Sequence, residues 1–74
     1  MKIGMLWFDD SPKPLGEKIR EAAAYYLKKY GVPASACYIN PEALPATSIL
    51  PIVWGIIVAR KHNVLPNHLW IGTG

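Results

Sequence analysis

At 74 residues the chain has room for one small hydrophobic core, since a second would need roughly another fifty residues, so residues 1–74 are expected to form one domain. With 51% hydrophobic and 18% charged residues the composition excludes a disordered chain. The lone cysteine, Cys37, excludes a disulfide scaffold and, with only two histidines, a zinc-finger framework. Eight basic against five acidic residues give +3, well short of the dense basic stripe of a dedicated nucleic-acid binder.

The chain opens on an apolar run, residues 2–8, in which both alternating sets are hydrophobic: Ile3, Met5 and Trp7 against Gly4, Leu6 and Phe8. A strand buried on both faces, as in a parallel sheet, has this signature. Lys2 is the only early positive charge, and Asp9 and Asp10 end the run without a small-residue cleavage site, so a secretory leader is not expected. Asp9-Asp10-Ser11-Pro12 offers capping side chains and then a proline, which makes Asp10 or Ser11 the expected helix N-cap. Leu15, Ile19, Ala22, Ala23, Tyr26, Leu27 and Tyr30 then recur at helical spacing as one apolar stripe. Glu17, Lys18, Arg20, Glu21, Lys28 and Lys29 fill the other side, acids early and lysines late, as the helix dipole favours. Gly31 and Pro33 stop the helix.

Residues 35–39, ended by Asn40-Pro41, read as a second strand, which with the first strand and the helix makes a βαβ unit with parallel strands. Residues 41–50 are irregular apart from one helical turn at 41–44. Residues 52–59 read as a third strand, again apolar on both faces. Arg60-Lys61-His62-Asn63 is the expected hairpin turn, and residues 64–71 return as a fourth strand. Pro66 has no N–H to donate, which places that strand at an edge or on a bulge. The expected fold is α/β, of order β-α-β-β-β: a mixed three- to four-stranded sheet with one long helix on one face. The uncharged stretch 43–59 contains Pro45 and Pro51 and is shorter than the ~20 apolar residues of a spanning helix. No membrane association is expected, and a cytoplasmic protein with a free thiol is.

One helix covers one sheet face, and the strands are apolar on both. The uncovered face, with Trp7, Trp54, Ile56, Trp70 and Ile71 as candidate interface residues, then presents several hundred Å² of apolar surface, the size at which association is expected. A two-fold homodimer through the sheet face or an edge strand follows, or else residues 41–50 fold back as a lid.

The candidate chemistry is sparse. Asp9 and Asp10 sit at the carboxyl end of the first strand, where open α/β sheets build ligand sites, and two adjacent carboxylates suit a hard cation. Met5-Leu6-Trp7-Phe8-Asp9-Asp10 resembles the acidic end of the first strand in response-regulator receiver domains. No aspartate follows Asp10 to accept a phosphoryl group, so that function is not carried over. Asn67 and His68, in the string Leu65-Pro66-Asn67-His68-Leu69-Trp70, form a polar pair beside aromatics, suited to a ligand or to proton transfer. His62 and His68 have no common metal-ligand spacing, and Cys37, mid-strand, reads as a buried apolar residue. No catalytic residue, metal site or cofactor is expected. Lys28, Lys29, Arg60 and Lys61, with Tyr25 free to stack on a base, would give weak, salt-sensitive nucleic-acid binding if they met on one face.

Three functions follow in order. The first is a non-catalytic interaction or accessory protein that self-associates through an apolar sheet face. The second is a weak nucleic-acid-binding accessory protein. The third is a small enzyme or ligand binder using Asp9, Asp10, Asn67 and His68.

Overall fold

A computed structural model describes residues 3–43 and 55–73 of the chain. Within them run β1 (Ile3–Phe8), α1 (Leu15–Tyr30), β2 (Ala36–Ile39), a single 3-10 turn (Pro41–Ala43), β3 (Ile57–Arg60) and β4 (His68–Thr73). The β-α-β-β-β order and the mixed four-stranded sheet with one long helix are as the sequence implies.

The helix forms where the stripe predicts, but it starts late. Its N-cap is Pro14, which brings no side-chain cap, rather than Asp10 or Ser11. Pro12 and Pro14 disfavour helical angles at the residues before them, Ser11 and Lys13, so the chain cannot turn helical earlier. Asp9 instead accepts a 2.8 Å hydrogen bond from the Ser11 N–H, closing a local turn. At the other end Gly31, at φ 74°, donates its N–H to the Leu27 carbonyl, a left-handed cap that suits glycine. Ile19, Ala22, Ala23 and Tyr26 are buried, while Leu27 and Tyr30 of the same stripe stay exposed. Sixteen helical residues span about 24 Å and a six-residue strand about 20 Å, so the last turn has less sheet beneath it.

The strand order is β1-β4-β2-β3. β1 and β2 point the same way, as a βαβ unit requires, but β4 lies between them, antiparallel to both. β3 pairs with β2 in parallel. The expected hairpin between the third and fourth strands is therefore overturned: residues 61–67 carry the chain past β2 into the middle of the sheet. The expected edge position of the last strand is overturned too. β4 begins only at His68, so Pro66 stays outside the ladder and the strand is free to pair on both sides. The Leu65–His68 segment closes on a 3.2 Å bond from the His68 N–H to the Leu65 carbonyl. Pro66 second and Asn67 third, at φ 62°, are the residues a type II turn asks for. β3 is shorter than expected. Residues 52–54 lie outside the described set, and Gly55, at φ 75°, is a left-handed break before Ile56.

Met5, Cys37, Ile39, Val58, Leu69 and Ile71 line the helix-facing side of the sheet and pack on Ile19, Ala22, Ala23 and Tyr26. The two alanines let the helix lie close over β4. Cys37 is fully buried, and loss of solvation pushes its thiol from an ordinary 9.0 up to about 12. The raised value means that stability is present below pH 9 and falls as pH climbs from there towards 12, where the unfolded chain ionises first. The native thiol is accordingly expected not to react with a disulfide reagent at pH 8 except through unfolding. A modification rate that does not track urea-induced unfolding would contradict this burial.

Candidate functional site

Alternation along the strands places Gly4, Leu6 and Phe8, then His68, Trp70 and Gly72, then Ala36 and Tyr38, then Ile57 and Ala59 on the side away from the helix. The register arranges them in rows. Leu6, Trp70, Tyr38 and Ala59 are level with one another, as are Gly4, Gly72, Ala36 and Ile57, and Phe8 is level with His68. The first row is bulky. The second is a trough of small residues ending on Ile57. Phe8 and His68 stack with ring centres 4.9 Å apart. No Asp, Glu, Lys or Arg side chain stands in these rows. Lys61 borders them, with its ammonium 5.0 Å from the centre of the Tyr38 ring. Leu6, Phe8, Ile57 and Trp70 are 51%, 58%, 73% and 37% exposed, which leaves on the order of 400 Å² of apolar side chain on one face. A shallow basin of ≈ 550 Å³ lies between Gly4, Tyr38, Lys61, Asn63 and Trp70.

Of the five interface residues the sequence suggests, Trp70 lies on this open face. Trp7 is level with Leu69 on the helix side, its ring 5.3 Å from that of Tyr25, and Ile56 is buried in the core, as is Ile71. Trp54 lies outside the described residues, as does most of the expected lid. Leu6, Phe8, Tyr38 and Ile57 carry no sequence signal of exposure, because each strand is apolar on both alternating sets. Only contact with the helix tells the sets apart.

A second feature sits at the carboxyl ends of β1 and β2, a cleft of ≈ 320 Å³. It brings Asp9, Asn67 and His68 together with Lys13, Lys18, Asn40 and Glu42, and Asp10 is not part of its lining. Its polar groups largely hold loops in place. The Asp9 N–H donates to the Asn67 carbonyl at 2.9 Å, and Lys18 Nζ donates to the Asp9 carbonyl at 3.0 Å. Asn40 Nδ2 donates to the Val64 carbonyl at 2.7 Å, while Asn40 Oδ1 accepts from the Glu42 N–H. The hydrogen bonds from Ser11, helped by the charges of Lys18 and Lys13, hold the Asp9 carboxyl below its ordinary range. Lys13 is paired with Glu21 at 2.8 Å, which raises its pKa. His68 Nδ1 lies 2.7 Å from the Pro66 carbonyl, which can only accept, so that nitrogen carries a proton. Asn67 and His68 thus serve first as turn residues at the entry to β4. Among the described residues no three His, Cys, Asp or Glu side chains converge as a metal site would need.

The four basic residues are not gathered on one face. α1 runs from the carboxyl end of β1 to the amino end of β2, so Lys28 and Lys29 stand at one end of the sheet. Arg60, level with Ile39, and Lys61 stand at the other. Tyr25 packs on Trp7. No helix among the described residues is long and apolar enough to cross a membrane. Searches against protein-family models, curated proteins and solved structures give no match to this chain.

Proposed function

We propose that this chain is a small non-catalytic interaction protein that works through the open face of its sheet, with a second copy of itself as the occupant. The observation that carries the reading is the largely apolar face on which Leu6, Phe8, Ile57 and Trp70 stand exposed. Three arguments favour a second copy. About 400 Å² of apolar surface is the apolar half of the roughly 800 Å² that each partner contributes to a standard interface. At ~25 cal/mol per Å², burying it on two copies is worth about 20 kcal/mol gross against roughly 4–15 for association, so the balance favours pairing before side-chain ordering is counted. The rows are also self-complementary, since a two-fold across the face can lay the Leu6–Trp70–Tyr38 row of one copy in the Gly4–Gly72–Ala36 trough of the other. Finally, two chains of charge +3 can meet through Leu6, Phe8, Ile57 and Trp70, which carry no charge, with Lys61 at the border of the contact.

Light scattering over a dilution series tests this. At tens of micromolar the chain is expected to show at least twice its 8.2 kDa. Ile57→Lys, which puts a charge at the far end of the trough, is expected to halve that mass while leaving the circular dichroism spectrum intact. A monomer at those concentrations, or a mass that Ile57→Lys does not lower, would sink the reading.

A further inference from the structure

Among the described residues the sheet has two edges, β1 and β3, and they differ. β3 is four residues long and ends in Arg60. β1 is six residues long, contains no charge and no proline, and pairs with β4 in an unbroken register from Ile3 to Phe8. Among the described residues β4 is its only neighbour. Charges, prolines, bulges and brevity are the devices that keep sheet edges from pairing, and β1 has none of them.

Which main-chain groups β1 leaves free follows from two hydrogen bonds. Bonded pairs alternate in an antiparallel ladder, and the Asp9 N–H donates to Asn67, one step beyond the Phe8–His68 pair. Trp7, Met5 and Ile3 therefore bond to β4, while Gly4, Leu6 and Phe8 turn their N–H and C=O groups outwards. The Gly72 carbonyl agrees: it accepts from Ser35 on the β2 side, so Gly72 turns away from Gly4, its counterpart on β1.

We infer that the β1 edge is a strand-addition site whose occupant is β1 of a second copy, antiparallel about a two-fold through Leu6. In that register Gly4 pairs with the partner's Phe8 and Leu6 with the partner's Leu6, giving about six main-chain hydrogen bonds from the outward groups. The side chains fit, because Phe8 falls beside the partner's Gly4, which has none to oppose it, and Leu6 meets the partner's Leu6. Chain order adds charge complementarity. In sequence a lysine precedes the strand and two aspartates follow it, so an antiparallel pair sets the acidic end of each strand beside the basic beginning of the other. This contact is distinct from the open face: it joins two sheets edge to edge into one of eight strands, and both contacts together make four copies in two stacked sheets.

Amide hydrogen exchange on the full chain carrying Ile57→Lys, which removes the face contact, tests the edge by itself. The N–H groups of Gly4, Leu6 and Phe8 are expected to exchange about 100-fold more slowly at millimolar than at low micromolar concentration. Rapid exchange at millimolar concentration would overturn the edge contact and leave the face reading standing. Protection that persists in a dilute monomer would overturn it too, since the chain would then cover its own edge. Leu6→Pro removes an N–H that no β4 partner uses, so it is expected to turn the Ile57→Lys protein monomeric with its spectrum unchanged. A folded Leu6→Pro protein that still pairs overturns the proposal, and if that variant fails to fold the exchange measurement decides.

Discussion

Replacing Ile71 with alanine is expected to cost about 2–5 kcal/mol and to lower the melting temperature by roughly 10–30 °C. Ile71 is fully buried on β4, the strand paired on both sides, level with Met5 on β1 and Cys37 on β2. Truncating it removes apolar contacts and leaves a cavity where three strands and the helix meet, which Met5 beside it fills only in part. A chain of this size holds only about 4–11 kcal/mol, so the variant is expected to be partly unfolded at 37 °C. The control is Ile57→Ala, the same chemical change on the open face, which is expected to shift stability by under about 0.5 kcal/mol when measured on monomer. Urea titrations at several protein concentrations separate the fold from association. Equal losses in the two variants would contradict the assignment of the two faces.

Trp70→Ala is expected to have the largest effect on association. Trp70 is the largest side chain of the central row on the open face, with Leu6 on one side and Tyr38 on the other. Buried tryptophans at the centre of an interface commonly cost 2 kcal/mol or more on truncation, about 30-fold in affinity. A two-fold contact contains the residue twice, so the concentration for half-dissociation of the face contact is expected to rise roughly 1,000-fold. Sedimentation velocity across a dilution series reads this. Trp7→Phe is the matching control: Trp7 packs on Tyr25 on the helix side, and its indole N–H is buried without a hydrogen-bond partner among the described residues. Phenylalanine keeps the ring and removes that donor, so association is expected to be unchanged. If Trp7→Phe weakens association as much as Trp70→Ala does, the face has been assigned to the wrong set of side chains.

The two tryptophans show where the sequence stopped being legible. In β1, Ile3-Met5-Trp7 and Gly4-Leu6-Phe8 are equally apolar, so alternation reveals a two-sided strand without saying which side meets the helix. The same ambiguity grouped Trp7, Ile56 and Ile71 with Trp70. The cleft was more readable. Asp9, Asn67 and His68 stood out because their residue types are unusual at strand ends, and the fold does bring them together. Their role as turn residues was also implicit in the order Pro-Asn-His, since proline followed by a residue that tolerates positive φ is a type II turn signal. The site of the basic residues was not readable at all, because whether Lys28 and Lys61 share a face depends on the direction of every element between them.

What the sequence by itself determined is local. The helix follows from the spacing of Ile19, Ala22, Ala23 and Tyr26 and from Gly31, the strands from their apolar runs, and the burial of Cys37 from its place within one. These features are set by neighbours three or four residues away, or by the absence of polar atoms to satisfy. The tertiary structure alone decided that β4 enters between β1 and β2, that β3 joins β2 instead of β4, and that among the described residues β1 pairs on one side only. Strand order depends on which non-local pairing buries the most apolar surface beneath the single helix. Ile71, Leu69 and the freedom of β4 to bond on both sides, once Pro66 is left in the turn, resolve that in favour of a central β4.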